Sequence, residues 1–148
     1  MSKMTSREMQ REAASYLSRY QVAKAEVKDI ERRIERIRSE MMGVKGIDYT
    51  CGDMPKQQNR TGDLSDYIVR IDDLIRGWEA ARDRATALMT DVSVAIEAVN
   101  HDKARRVLML HFIDGSTYEE IAEDMQCDIR TVYRWRKIGL KKIVVNCQ

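Results

Sequence analysis

The sequence predicts an all-α protein, in which a long antiparallel helical hairpin of the coiled-coil type precedes a three-helix domain with a helix-turn-helix. Charged residues make up 34% of the 148 residues, aromatic residues make up 6% and there is one Pro, a composition that favours long solvated helices over β structure. Two long stretches repeat apolar residues every three or four positions, and a short helix, a turn and a basic helix follow them. We expect residues 1–100 to form the hairpin and residues 101–148 to form the helix-turn-helix domain.

The first predicted helix carries an apolar seam whose members step by four and three. Charged residues occupy the positions between them, as at the outer positions of a coiled coil. The seam contains Met9, Ala13, Tyr16, Tyr20, Ala23, Val27, Ile30, Ile34, Ile37 and Met41.

The connection at residues 43–62 holds four Gly and the single Pro and has no period. It is longer than an ordinary turn between helices, so we expect a loop. The alternation of Ile47, Tyr49 and Cys51 leaves open a short extended segment that packs on the hairpin.

The second predicted helix repeats the same rhythm and nearly matches the first in length. A second set of apolar residues widens its stripe, namely Ile68, Ile75, Met89 and Ile96. In a single hairpin these four side chains would stay partly exposed to water. We therefore expect self-association into a dimer or a larger bundle, which would bury them. The seam itself contains Leu64, Tyr67, Ile71, Leu74, Trp78, Ala81, Ala85, Leu88, Val92, Ala95 and Val99.

The last part of the chain predicts three helices. Residues 102–113 form the first, with His101 as a hinge or cap and His111 as a half-buried structural residue. Residues 119–125 form the second, and residues 126–128 form a turn that ends at Asp128, the N-cap of a third helix from residue 129 to about residue 145. The side chains predicted to fill the corner between the last two helices are Ile121, Ala122, Met125, Cys127, Val132 and Trp135.

The third helix is strongly basic and the one before it is acidic. Residues 128–145 contain six Lys or Arg and one Asp, whereas residues 119–125 contain three Glu, one Asp and no basic residue. The formal net charge of the whole chain is only +2, so an affinity for nucleic acid must come from this local patch. A cationic helix on an acidic support is the charge pattern of a recognition helix that enters a DNA groove.

Residues 105–143 resemble region 4 of bacterial sigma-70-type factors. The resemblance implies DNA binding, and at Gln126 the chain departs from the Gly that such turns usually carry with a positive φ. The matching residues are Leu108, Leu110, Phe112, Gly115, Thr117, Tyr118, Glu120, Ile121, Ala122, Thr131, Val132, Arg134, Gly139, Leu140 and Ile143.

The plan of the whole chain is similar to that of small phage and prophage proteins, and of phage late-gene transcriptional activators of the RinA and ArpU type. This resemblance implies a DNA-binding transcriptional regulator that acts as an oligomer, with RNA polymerase as a further expected partner. For Tyr133, a thymine methyl group, a phosphate and simple packing all stay open. The candidate DNA-contacting residues are Arg130, Thr131, Tyr133, Arg134, Lys137, Lys141 and Lys142.

Two other functions fit parts of the pattern. Small terminase subunits, which recognise viral DNA for packaging, also join a helix-turn-helix to oligomerising helices, although theirs usually comes first in the chain. A structural adaptor could instead bind another protein through the hairpin, with a passive last domain.

The sequence favours no enzymatic function and no cofactor. It shows no Gly-rich phosphate loop, no Ser/His/Asp set and no metal-ligand spacing. Cys51, Cys127 and Cys147 form no CxxC pair, which argues against a zinc site or a disulfide framework and suits a reducing cytoplasm. Because no stretch of 18 apolar residues occurs and the N-terminus is polar, we expect a cytoplasmic protein that does not contact a membrane.

Overall fold

The computed structural model describes residues 4–45 and 60–143, and these are organised as helices without any strand. Helix α1 spans Ser6–Lys45 and α2 spans Arg60–Glu97. Helix α3 spans Asp102–Leu108 and continues into a π-helical turn, Met109–Ile113. Helix α4 spans Tyr118–Asp124 and α5 spans Ile129–Lys142. The predicted all-α class and the order of long helices before short ones are confirmed.

Both long helices extend two residues into the segment that was predicted to be a loop. Helix α1 runs two residues past Gly43, and α2 begins two residues before Gly62. The rest of the predicted loop, with the possible extended segment at Ile47, Tyr49 and Cys51, lies outside the described residues.

The apolar seam of α1 differs from the predicted one at its N-terminal end. Met9 was expected in the seam but is 46% exposed, whereas Leu17, which was not expected there, is completely buried. Leu17 follows the buried Ala13 by four residues, so both project from one helix face. The prediction had instead placed the aromatic Tyr16 in the seam, and that side chain is only half-buried.

Contacts divide the chain into two compact units. We call Ala25–Asp83 the two-helix unit and the combination of Met1–Lys24 with Arg84–Gln148 the helix-turn-helix unit. In the two-helix unit, the Trp78 Nε1–H donates to Glu31 Oε1 at 3.0 Å, and Ile37 lines a groove together with Leu74. Higher numbers on α1 thus meet lower numbers on α2, so the helices pair in the antiparallel sense that the sequence predicted. Their coiled-coil character stays a prediction.

The main core of the helix-turn-helix unit combines side chains of α1, α2, α3, the π-helical turn and α5. Ile96, which was expected to be partly exposed to water, is completely buried in this core. This core includes residues from both sides of residue 100, which is the predicted boundary between the hairpin and the helix-turn-helix domain. That division stays a prediction, since shared packing does not show whether the parts fold separately. The buried members are Ala13, Leu17, Val92, Ile96, Val99, Ala104, Leu108, Phe112, Leu140 and Ile143.

Gln21 of α1 binds the backbone where the π-helical turn ends. Its Nε2 donates to the carbonyl oxygens of Phe112 at 2.9 Å and Ile113 at 3.0 Å. Gly115 follows with a φ of +78°, and a Cβ there would lie 3.5 Å from Gln21 Oε1. The left-handed backbone therefore favours glycine at this position, and the amide of Gln21 satisfies carbonyls that the helix end leaves without partners.

Candidate nucleic-acid interface

Helix α4 begins with a reciprocal cap. The side chain of Thr117 accepts the backbone N–H of Glu120 at 3.2 Å, and the Glu120 carboxylate accepts the backbone N–H of Thr117 at 2.8 Å. This capping box fixes the first turn of the helix. His101 caps α3 in a similar way, since its Nδ1 accepts the Ala104 N–H at 3.0 Å, which confirms the cap expected there.

The turn between α4 and α5 has the left-handed residue that the resemblance places there. Gln126 has a φ of +52°, the only positive value for a non-glycine residue in the described part of the chain. The N–H of Cys127 reaches the Ala122 carbonyl at 3.0 Å, and the N–H of Gln126 reaches the Glu123 carbonyl at 3.1 Å. These two bonds make a Schellman motif, in which Gln126 occupies the position that glycine usually fills. The turn thus keeps its geometry at the cost of a strained side-chain-bearing residue.

Helix α5 begins where the sequence predicted and ends earlier. Asp128 caps it by accepting the Arg130 N–H at 2.8 Å, as expected. The helix was expected to continue to about residue 145, but Ile143 already has an extended backbone with φ of −70° and ψ of +126°. Ile143 is 9% exposed and belongs to the core that contains Leu140, so its burial accompanies the end of the helix. Residues 144–148 lie outside the described part of the chain.

Gly139 allows α5 to pack closely against α3. A Cβ at this position would lie 2.7 Å from Leu108 Cδ1 and 3.4 Å from Ala104 Cβ. Only a residue without a side chain fits unless Leu108 moves, which gives a physical reason for a glycine at position 139.

Four basic side chains form one stripe along the outer face of α5. Arg130, Arg134, Lys137 and Lys141 are all exposed, and their spacing of four, three and four residues places them on the same side of the helix. Val132 and Gly139, on the opposite side, are buried. We call these four residues the cationic stripe.

No side chain of the cationic stripe has a hydrogen bond or an ion pair with any other residue that the structure describes. The other basic residues near the helix-turn-helix do have partners. Arg106 pairs with Asp124 at 2.8 Å, Arg105 donates to the Val99 carbonyl at 3.1 Å, and Lys103 lies 6.0 Å from the ring centroid of Trp135. The stripe is therefore the part of the basic surface that is available to an external anion.

Besides Tyr133, two of the candidate DNA-contacting residues lie off the stripe. Thr131 is half-buried, and Lys142 donates its Nζ–H to the Asn100 carbonyl at 3.2 Å. Lys142 thus has a structural partner in the segment between α2 and α3. A direct contact of either residue with DNA stays a prediction.

An aromatic cluster borders the stripe. Tyr133 is 47% exposed, and its ring centroid lies 5.1 Å from that of Tyr118. The Tyr118 ring stacks on His111 at 4.2 Å with an interplanar angle of 19°, and its hydroxyl accepts the Arg136 Nε–H at 2.6 Å. Burial raises the pKa of the Tyr118 hydroxyl, although Arg136 acts in the opposite direction, so the group is neutral at physiological pH.

The pairing of Tyr118 with Arg136 was not predicted from the sequence. The structure turns the Arg136 guanidinium onto Tyr118, 18 residues earlier. The sequence does show an aromatic residue at the start of α4 and a basic residue in the middle of α5. However, only the angle between the two helices in the structure shows that these two side chains meet.

Residues 101–143 match the family model described as Sigma-70, region 4. This match supports the resemblance drawn from the motif residues and identifies the last three helices as a helix-turn-helix of the DNA-binding type. It covers the domain that carries the cationic stripe and leaves the long helices unmatched. No curated protein and no solved structure matches the chain significantly.

No group of three or more His, Cys, Asp or Glu side chains within residues 4–45 and 60–143 could hold a metal ion. No helix in the same ranges is both long and apolar enough to cross a membrane.

Proposed function

We propose that this chain is a sequence-specific regulator of transcription of phage or prophage genes, and that it binds double-stranded DNA as an oligomer. The observation that carries the proposal is the cationic stripe of Arg130, Arg134, Lys137 and Lys141, which has no partner within the described chain. In a helix-turn-helix, the second helix enters the major groove, where its outer side chains reach base edges and phosphates.

Within the stripe, we assign base contacts to Arg130 and Arg134 and phosphate contacts to Lys137 and Lys141. Arg130 and Arg134 lie in the first two turns of α5, which is the part of a recognition helix that reaches base edges. A guanidinium can bind the O6 and N7 atoms of guanine through two hydrogen bonds, whereas a lysine ammonium interacts with phosphate as a point charge.

Arg134→Ala tests this assignment in the full chain. We expect it to weaken binding to a site enriched from genomic fragments by about 5- to 150-fold, equivalent to about 1–3 kcal/mol, and to reduce discrimination against random DNA. Lys28→Ala is the matched control, because it removes one exposed charge from the two-helix unit. Fluorescence anisotropy with labelled duplexes measures both. If Arg134→Ala binds both duplexes as the parent protein does, α5 is not the recognition helix.

Self-association is the second part of the proposal, and exposed apolar residues of α2 support it. Ile68 is 49% exposed and Met89 is 42% exposed, although both belong to the set that widens the apolar stripe of this helix. Burying such residues against a second copy would remove apolar surface from water. Light scattering of the full chain should give a mass above that of the 17.2 kDa protomer at micromolar concentration. A protomer mass under those conditions would overturn this part alone.

The role in phage or prophage gene expression and a contact with RNA polymerase are proposed from the resemblance of the chain to sigma-like and phage regulators. Sequencing of the genomic fragments that the protein enriches tests the first, since an enriched site upstream of late genes supports it and one inside a packaging site supports a terminase-like role. Co-purification with RNA polymerase on a promoter fragment tests the second.

A further inference from the structure

Tyr133 is an exposed aromatic residue that borders the cationic stripe. It follows Arg130 by three residues and precedes Lys137 by four, so all three are neighbours on the surface of α5. Tyr133 is 47% exposed, whereas Phe112, Val132 and Leu140 of the same domain are buried. The ring is thus presented on the same side of the domain as the side chains proposed to contact DNA.

The surroundings of Tyr133 restrict its orientation. One side of its ring meets Tyr118 at 5.1 Å, with an angle of 55° between the planes. Tyr118 is itself fixed at both ends, because its ring stacks on His111 and its hydroxyl binds Arg136. His111 in turn has its Nδ1 2.9 Å from the Ser116 carbonyl oxygen. A chain of contacts therefore holds Tyr133 before any ligand arrives.

We propose that Tyr133 is a specificity-determining residue that contacts the C5-methyl group of a thymine in the major groove, and that Tyr118 is the residue that positions it. The proposal rests on the proposed function of the stripe. Thymine presents the only methyl group on the major-groove edge of the four bases. A ring placed against polar base edges would strip them of water without supplying hydrogen bonds, whereas a methyl group gains from the contact.

The fixed ring also lowers the cost of binding. An aromatic side chain that is already ordered loses little conformational entropy when DNA arrives, so more of the contact energy contributes to affinity. Tyr133 differs in this respect from the flexible side chains of the stripe, which have no partner that orders them.

The test removes one methyl group at a time from the DNA. A high-affinity duplex is first selected with the full chain from a random library, and each thymine in it is then replaced by deoxyuridine. We expect one substitution to weaken binding about fourfold, equivalent to roughly 0.8 kcal/mol for one buried methyl group. With Tyr133→Ala, that duplex and its parent should bind equally. With Tyr133→Phe the fourfold difference should remain, because the contact uses the ring and not the hydroxyl.

Variants of Tyr118 test the positioning role. Tyr118→Leu preserves apolar bulk but removes the flat ring that meets Tyr133, so the difference between thymine and deoxyuridine should shrink to less than twofold. Tyr118→Phe keeps the ring and should keep the difference. This ratio compares two DNA molecules on one protein, so a general loss of stability does not change it. Circular dichroism establishes that each variant is folded.

The outcomes separate this proposal from the function on which it rests. A selected duplex without thymine, one in which no deoxyuridine weakens binding, or a methyl effect that persists in Tyr133→Ala would overturn the thymine contact and leave DNA recognition intact. Loss of the effect in Tyr133→Phe would also overturn it, since the hydroxyl would then be the contacting group. If the library yields no sequence that binds better than random DNA, the proposed sequence-specific function fails, and the thymine contact fails with it.

Discussion

The same two long helices are packed very differently in the two units. In the helix-turn-helix unit, α1 and α2 share a core with α3, the π-helical turn and α5, and Leu17 and Ile96 are completely buried. In the two-helix unit, each helix has only the other as a partner among the described residues, and the buried apolar side chains there are Ile34, Ile37 and Ala81. A two-helix pair buries one stripe of each helix, so its stability depends strongly on a few side chains or on a further partner.

The matched substitutions Leu17→Asp and Ile34→Asp should give the largest effects and should differ between the units. Leu17 has no exposed surface, so an aspartate there stays inside the core, and we expect a loss above about 4 kcal/mol. Ile34 is 8% exposed at the edge of a two-helix pair, where a carboxylate can reach water, and we expect a loss of roughly 2–4 kcal/mol.

The two tryptophans allow the units to be followed separately. Trp78 lies in the two-helix unit and Trp135 lies in the helix-turn-helix unit, so a Trp→Phe replacement of one makes the fluorescence of the other a local reporter. Denaturant unfolding should show the Leu17→Asp loss with the Trp135 reporter and the Ile34→Asp loss with the Trp78 reporter. Val22→Asp, at a position that is 69% exposed in α1, is the control and should change little. Equal losses for Leu17→Asp and Val22→Asp would contradict the assigned core.

The sequence predicted well those features that depend on local pattern. The apolar period located both long helices, and it placed Ile34 and Ile37 in their seam. Asp128 was identified as a cap, and His101 as a hinge or cap, because capping needs only a polar side chain immediately before the first helical residue.

The features that the sequence did not predict depend on contacts between distant segments. Gln21 binds carbonyls that lie 91 and 92 residues later, and a lone amide in an amphipathic helix gives no sign of such a partner. Lys142 was assigned with the other basic residues, but its bond to the Asn100 carbonyl depends on where α5 ends. Periodicity shows which face of a helix is buried and does not show what covers it.

Two glycine-to-alanine substitutions, one in each unit, should change the free energy of unfolding by intermediate amounts. Gly139→Ala places a methyl group 2.7 Å from Leu108 in the helix-turn-helix unit, and we expect it to cost about 1–3 kcal/mol. Gly77→Ala, on the exposed surface of α2, meets nothing within 4 Å and should stabilise the two-helix unit by about 1 kcal/mol through helix propensity. Thermal unfolding of the two variants should therefore shift in opposite directions. A shift of the same sign in both would contradict the close approach of α5 to Leu108.

The smallest expected effect concerns backbone strain, which the structure shows in the turn of the helix-turn-helix unit. Gln126 has a φ of +52° and an exposed side chain, so the strained backbone has no compensating burial of that side chain. Gln126→Gly should stabilise the unit by about 0.5–1 kcal/mol, because glycine adopts the left-handed region without a Cβ penalty but loses more entropy on folding. Gln126→Ala is the matched control, since it removes the side chain but keeps Cβ, and it should give no gain. The denaturant midpoint measured with the Trp135 reporter checks both variants. If alanine stabilises the protein as much as glycine does, removal of the glutamine side chain, and not relief of the backbone conformation, is the cause.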